Sequence, residues 1–547
     1  MKLHSIAVGA GVLGAAAVSA AKNGLPVDKV YGVNLGNWLL VEPWMIPNEW
    51  VSKMGGERCD ADCSSCAASE FALVQKIGQE KADQVFAEHW QTWFTEKDAD
   101  AIAAAGLNTV RIPLGYWIIE SLVDRSTEYY PRGGMKYLKQ GLRWLKQRGI
   151  HVMLDHHALP GVATANQMFA GHCTNDVQFY TEKNYRRALI WAGVMTAMTH
   201  IDPDFASVFS IEAINEPTMD ANKTPGFGDY QKRFVKVVRM VEYALGIKCP
   251  DTDYTRLFSK SSYSNAFDAG FLNAAPQIDD PIVLDAFKEV AAAVKSICGT
   301  LELKVPHNLR RSLDLPATIH RRDATMDQIK QGHGAGRGQM SADGPVHVKR
   351  SEPPARLNSF VPRESIAERN ISATLGDGVC RTCLMTAFPN RGWQYNNPPN
   401  PADAAIGPQL YDAHLYFSFG GVADPNADSY MQVICNSDRV TKAREESNSP
   451  LVFGEWSLAT NFNATKQFTR DWADAQRLLY AGQADGWIFW NFKLEEGSPN
   501  TPYWSYFDAL KSGHFTNDPS KLSNPDVCKR WITNSTSTAK SKVYSAA

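Results

Sequence analysis

Two glutamates in this chain of 547 residues occupy positions where a carboxylate is costly to place. Glu216 follows an apolar run in FSIEAINEP (209–217), and Glu455 does the same in LVFGEW (451–456). A carboxylate at the end of a buried strand loses hydration unless it is hydrogen-bonded or put to use. Retaining glycoside hydrolysis needs a pair of carboxyls about 5–5.5 Å apart, one as acid/base and the other as nucleophile. The competing use is structural, with both carboxylates paired to Arg111 or to histidines. Aromatic residues crowd the same segments: Trp38, Trp44, Trp117, Tyr416, Phe417, Phe419, Trp456, Trp487, Trp490, Tyr503 and Trp504. Side chains alternate along a strand, so some of these belong to the core. The remainder can line a cleft suited to the face of a sugar.

Other chemistries lack their spacing. His156, His157 and His414 could ligate a metal together with the two glutamates, but neither H-E-x-x-H nor another zincin pattern occurs. A serine hydrolase would carry G-x-S-x-G, which is missing, and Ser457 in GEWSLA has no nucleophile elbow. No metal, nucleotide or redox cofactor is expected. The 56 Lys and Arg against 58 Asp and Glu give a net charge of −2, without the basic footprint of a nucleic-acid binder.

Eight short apolar segments carry these residues: 32–40, 109–114, 151–157, 209–217, 383–388, 411–417, 451–456 and 486–492. Amphipathic helical stretches lie between several of them, and two close on Gly106 and Gly149. This alternation predicts a parallel sheet with helices outside it. Eight strands with polar residues gathered at their C-terminal ends predict an α/β fold, a TIM (β/α)8 barrel. A doubly wound sheet would carry a Gly-rich phosphate turn, and GVNLGNW has no G-x-G-x-x-G.

The rhythm fails between about 250 and 380, predicting a large insertion between strands 4 and 5. Residues 281–299 have a helical apolar face, whereas 320–356 are rich in Gly, Pro and charge and read as mobile. The barrel domain is expected over 27–510, interrupted by this insertion and followed by a C-terminal extension and polar tail over 511–547. Residues 1–20 read as a signal peptide ending in a small-residue cleavage pattern, so the protein is expected to be secreted, outside the cell or in its wall. No later run is long and apolar enough to span a membrane. Four N-x-S/T sequons, at Asn222, Asn370, Asn463 and Asn534, suit that route. Ten cysteines suit it too: without a His at ligand spacing, the Cys59, Cys63, Cys66 cluster reads as disulfides pinning surface loops rather than zinc. Their pairing is open, and Cys528 offers a tie for the C-terminus.

The segments GVNLGNWLLVEPW (32–44), VRIPLGYW (110–117), LDHHALPG (154–161), INEP (214–217), AHLYFSF (413–419), FGEW (453–456) and GWIFWNFK (486–493), in this order, together resemble glycoside hydrolase family 5 of clan A. They look most similar to its fungal exo-β-1,3-glucanase-like branch. The resemblance implies that Glu216 is the general acid/base and Glu455 the nucleophile. It implies that Asn215 holds the sugar 2-hydroxyl, Arg111 keeps Glu455 ionised and aimed, and His414 and Tyr416 flank the carboxylates. Trp490 would floor the −1 sugar site, with His157 touching that sugar and Glu42 binding hydroxyls of the terminal sugar. Phe419 matches one of two aromatic clamps on the next sugar, and Asn166 stands where the other is expected, with Phe169 three residues later. The implied activity is retaining hydrolysis of β-glucan, most naturally β-1,3-linked, by a monomer acting on a β-glucan or β-glucoside. Cleavage of β-1,6- or β-1,4-glucan or of small glucosides is the alternative.

Overall fold

A parallel sheet needs cover on both faces, and alternating strands with amphipathic helices supplies it by closing the sheet on itself. The computed structural model describes residues 23–59, 62–250, 252–257, 280–303 and 382–532. Eight strands form a closed barrel in sequence order: β1 (Val30–Asn34), β2 (Thr109–Gly115), β3 (His151–Ala158), β4 (Val208–Glu212), β5 (Met385–Pro389), β6 (Gln409–His414), β7 (Leu451–Glu455) and β8 (Gly486–Phe489). Every neighbouring pair is parallel, and β8 returns to β1. The expected barrel and the long excursion between its fourth and fifth strands are both present.

Local chemistry sets the outer helices. Helix Glu96–Ala104 starts in a capping box, in which Thr95 and Asp98 satisfy each other's ends, and the chain turns away at Gly106 with φ +72°. Helix Gly134–Gln147 buries Met135, Leu138, Leu142 and Leu145 along one face against the barrel. Helix Glu182–Ile201 is buried almost all round. Its outer side is covered by helix Pro281–Thr300, which Asp280 caps through the amides of Ile282 and Val283 at 3.0 and 3.3 Å. The contact is close: a Cβ on Gly193 would lie 2.4 Å from Val290. This part of the insertion is therefore a second helical layer built onto the barrel wall. The signal-peptide reading and the mobile reading of 320–356 fall outside the described residues.

Four strands end earlier than their apolar runs. The chain leaves β1 at Asn34, β4 at Glu212, β6 at His414 and β8 at Phe489. Asn37 has φ +61° and Glu216 φ +23°, turns that no strand accommodates. After β8 the Trp490–Asn491 peptide is cis, and the Asn491 amide grips both the N–H and the carbonyl of Gly36 at 2.9 and 3.1 Å. Glu455 closes β7 as expected, but Glu216 does not close β4; it stands on the loop beyond it. Below the carboxylates the bore is filled by Val30, Met153, Met385, Leu410, Val452 and Ile488, with Leu25 among them. The barrel is a packed core and not a pore.

Disulfides join Cys59 to Cys66, Cys63 to Cys173 and Cys435 to Cys528, so the cysteine cluster pins loops. The last tie holds a C-terminal segment that continues past helix Tyr506–Lys511 and buries Phe515 and Val527. Replacing Cys435 and Cys528 together with Ser should lower stability by about 2–4 kcal/mol, because the cross-link no longer restricts the unfolded chain. Equilibrium unfolding in urea measures this. A loss within about 0.5 kcal/mol would show that the apolar anchors hold the segment without the bridge.

Candidate active site

Strand register delivers the charged groups. Asn34 pairs with Arg111 across β1 and β2, Asp155 with Glu212 across β3 and β4, and His414 with Glu455 across β6 and β7. Alternation then separates inward from outward residues. Asp155 and His157 point into the bore, whereas His156 between them is fully buried on the outside, stacked on Trp191 at 4.1 Å between ring centroids. Burial drives the His156 pKa well below the ordinary histidine value, so this ring is a neutral packing residue. Its place among the polar strand-end residues is accidental.

Arg111 is the hub. Its Nη1 donates to Glu455 Oε1 at 2.8 Å and to Asn34 Oδ1 at 3.2 Å, its Nε to Glu212 Oε2 at 2.9 Å, and its Nη2 to Asn215 Oδ1 at 2.9 Å. Asp155 and Asp412 also pair with it, at 3.1 and 3.5 Å. Burial alone would lower its pKa, but the carboxylates of Asp155, Glu212, Glu455 and Asp412 hold it well above the ordinary value. The guanidinium is permanently charged and fixed in orientation.

Glu455 takes its second contact from Tyr416, whose hydroxyl donates to Oε2 at 2.9 Å. Burial raises its pKa above the usual carboxylate range, and the charges of His414 and Arg111 oppose that rise. His414 bridges the two glutamates: Nδ1 lies 2.8 Å from Glu216 Oε1 and 3.5 Å from Glu455 Oε2, while Nε2 contacts Asp412 Oδ2 at 3.2 Å. Burial disfavours its charge, yet Glu455 and Asp412 lift its pKa well above the ordinary value. Asp412 is anchored in turn by the Gly454 amide at 2.7 Å, and a Cβ on Gly454 would lie 2.2 Å from that carboxylate. Only glycine fits at this position of FGEW.

Oxygens of Glu216 and Glu455 and a nitrogen of His414 all lie within 4.8 Å of one another. Such a trio could hold a cation, but a doubly paired, charged imidazolium is a donor and not a ligand. Around it, His157 Nδ1 bonds Asp155 Oδ2 at 2.5 Å, and its Nε2 accepts from the Asn215 amide at 3.3 Å. Trp490 stacks beside His157 at 5.7 Å. The Glu216 loop is fastened by Thr164, which donates to the Glu216 carbonyl, and by Trp393, whose Nε1 donates to the Pro217 carbonyl at 2.7 Å.

These groups face a cleft of about 1470 Å³ lined by Glu42, Trp44, Asn166, Phe169, Trp393, Phe419 and Trp504 among others. Glu42 is buried, accepts from the Trp44 indole at 2.9 Å, and has its pKa pushed up to about 7 by that burial. Phe419 stands 77% exposed at the rim. Of the strand-end aromatics, Trp44, Tyr416, Phe419, Trp490 and Trp504 line the cleft, whereas Trp38, Trp117, Phe417, Trp456 and Trp487 are core. The structure thus brings together every site residue expected from sequence: Glu42, Arg111, His157, Asn215, Glu216, His414, Tyr416, Phe419, Glu455 and Trp490. Missing from the sequence reading were Asp155, Glu212, Asp412 and Trp393. For two of them a signal existed, since LDHH and YDAH place Asp155 and Asp412 on the same strand face as His157 and His414.

Comparison with known proteins fits this geometry. Residues 74–286 match the family described as cellulase, glycosyl hydrolase family 5. The chain is 32% identical over 316 residues to the glucan endo-1,6-beta-glucosidase B of Emericella nidulans, covering 54% of this chain and 75% of that protein. Against the probable glucan endo-1,6-beta-glucosidase B of Neosartorya fischeri it is 26% identical over 511 residues, 91% and 90% of the two chains. The probable glucan 1,3-beta-glucosidase A of Aspergillus fumigatus is 30% identical over only 224 residues, 39% of this chain and 47% of that one. The chain belongs to glycosyl hydrolase family 5 and is a glycoside hydrolase. Placement in the exo-β-1,3-glucanase-like branch is not supported, because the matches that run the length of the chain carry a 1,6 name.

Tyr416→Phe removes one donor from Glu455 and leaves the ring in place. Losing a hydrogen bond to the charged form raises a carboxylate pKa. Activity that requires ionised Glu455 is present above that pKa and lost as pH falls through it. The acid limb of kcat/KM should therefore move to higher pH, and kcat should fall about tenfold or more. An unmoved acid limb would separate Tyr416 from the ionisation of Glu455.

Proposed function

We propose that the protein is a secreted retaining β-glucanase that cleaves β-1,6-glucan. The observation that carries this reading is the Glu216–Glu455 pair, whose oxygens approach within 4.8 Å across a bore lined by sugar-facing aromatics. That spacing is nearer to the roughly 5–5.5 Å of two-step retention than to the roughly 6.5–9.5 Å of single-step inversion. Glu455, aimed by Arg111 and Tyr416, attacks the anomeric carbon to form the glycosyl-enzyme. Glu216 protonates the departing oxygen, then takes the proton from the water that hydrolyses the intermediate. Asn215 is positioned to bind the 2-hydroxyl, with its amide oxygen already held by Arg111. Trp490 and His157 flank the −1 sugar, and Glu42 meets hydroxyls farther from the scissile bond.

The linkage rests on the relatives. The Neosartorya fischeri and Emericella nidulans relatives are both named for endo-1,6 cleavage, and the former match spans 91% of this chain. The extended cleft, from Glu42 and Trp504 past Phe419 to Arg439, supports attack within a chain. Secretion is supported by three disulfides, which persist in an oxidising compartment. No described helix is long and apolar enough to cross a membrane.

Two measurements test the proposal. Pustulan, laminarin, carboxymethylcellulose and an aryl glucoside are compared for rate and early products. Pustulan should be cut fastest and release short gentio-oligosaccharides; preference for laminarin with glucose as sole early product would restore the exo-β-1,3 reading. Glu455→Ala should lose roughly 10⁴-fold or more in kcat and recover turnover with azide. Glu216→Gln should lose about 10²–10⁴-fold, most on substrates with poor leaving groups. Equal losses of Glu216→Gln on activated and unactivated glycosides would remove its acid role.

A further inference from the structure

Outside the cleft, a second buried charged cluster sits where the chain enters and leaves the insertion. Arg239 and Glu242, both fully buried near the end of helix Phe227–Ala244, pair with each other. Together they grip the entrance of β5: Arg239 Nη2 donates to the Leu384 carbonyl at 2.7 Å, and the Leu384 amide donates to Glu242 Oε1 at 2.6 Å. Two thiols converge on the same pair. Cys249, just past the helix, reaches Glu242 Oε2 at 3.6 Å, and its own amide is fixed by the Tyr254 hydroxyl at 2.6 Å. Cys383 adjoins Leu384 and is in side-chain contact with the Cys249 thiol. Both sulfurs are unbridged thiols in the structure, one buried and the other half-buried.

We propose that Cys249 and Cys383 form a further disulfide that clasps the two ends of the insertion. Three observations favour the bond over a passive thiol pair. The two thiols lie within hydrogen-bonding reach of each other, on backbones that separate hydrogen bonds hold in place. Glu242 does not depend on the thiol it would lose as a donor, since Arg239, His200 and the Leu384 amide all remain bound to it. Three other cysteine pairs of the chain are already bridged, as an oxidising compartment favours.

The chemistry is ordinary thiol–disulfide exchange with a dithiol oxidant or oxidised glutathione. Contact with Cys383, burial and the Glu242 carboxylate hold the Cys249 thiol above its ordinary range, so half-buried Cys383 is the point of entry. The Cys383 thiolate attacks the oxidant's disulfide and expels one thiol. Cys249 then attacks the Cys383 sulfur and expels the second. The protein loses two protons and two electrons, and one disulfide of the oxidant becomes two thiols. The product closes a loop of about 130 residues at its root, where a cross-link removes much freedom from the unfolded chain. The bond would tie the segment after helix Phe227–Ala244 to the entrance of β5.

Peptide mapping of the full chain, made in an oxidising secretory host, tests this. The protein is denatured in N-ethylmaleimide without reductant, digested and analysed by mass spectrometry. The Cys249 and Cys383 peptides should appear joined, and neither should carry maleimide. Alkylation of both, or a bridge from either to Cys298 or Cys380, overturns the proposal. Thermal unfolding gives an independent reading: Cys249→Ala, Cys383→Ala and the double variant should lose the same several degrees, with aryl-glucoside turnover unchanged. Additive losses would mean that the thiols only pack.

Discussion

A single arginine, fully removed from water and enclosed by acids, organises this barrel. Burying one charge without a partner costs many kcal/mol, and removing one side of a buried pair typically costs about 3–5 kcal/mol. Arg111 therefore dictates what surrounds it: Asn34 from β1, Asp155 from β3, Glu212 from β4, Asp412 from β6 and Glu455 from β7. Its five donors are shared among strands all round the bore, which fixes the register those strands must keep. The arrangement has an excess of carboxyls. At Glu212 burial raises the pKa well above the ordinary value, and the charge of Arg111 opposes that rise. A second cation, His414, completes the balance beside Asp412 and Glu455.

That balance is what keeps the pair of glutamates useful. At an effective dielectric of about 20, two unit charges about 4–5 Å apart interact by roughly 3–4 kcal/mol. Glu216 adds to the forces raising Glu455, while Arg111 and His414 pull it down. Charge on Glu455 is thus favoured by the placement of fixed cations, not by exposure to solvent. Turns supply the rest. Glu216, Tyr416 and Trp490 all lie on loops just beyond their strands, so that they lean over the bore from three sides. The Glu216 loop is fastened by Thr164 and Trp393 and the Trp490 loop by the Asn491 amide, contacts that trade mobility for aim.

Much of this was legible in the sequence because it is local. Periodicity located all eight strands, and the residue types at their C-terminal ends located the site. Boundaries were less legible, since an apolar run such as GVNLGNWLL continues smoothly while its backbone turns at Asn37 to bury Trp38 among the helices. His156 and His157 show the limit of composition: adjacent histidines, one against Trp191 in the outer layer and one beside Trp490 in the cleft. Only the strand's two-residue alternation tells them apart, and it needs one fixed point to set its phase. Asp155, Glu212 and Asp412 were unreadable as partners of Arg111 because that relation depends on closure of the barrel.

Linkage preference belongs to a different kind of residue. The groups around the scissile bond are determined by one another: change Arg111, and four acids lose their counter-ion. The residues that meet the rest of a glucan have no such internal partners. Phe419 projects into solvent, meeting Tyr416 edge-on and Trp504 at a tilt, and Asn166 is exposed at the opposite wall near the Cys63–Cys173 bridge. Nothing in the barrel's own energetics requires these side chains, so they can change while the catalytic centre stays fixed. Motifs read from the centre accordingly identify the reaction but carry little about which glucan enters. That is why seven motifs could indicate a 1,3-specific branch while the long matches carry a 1,6 name.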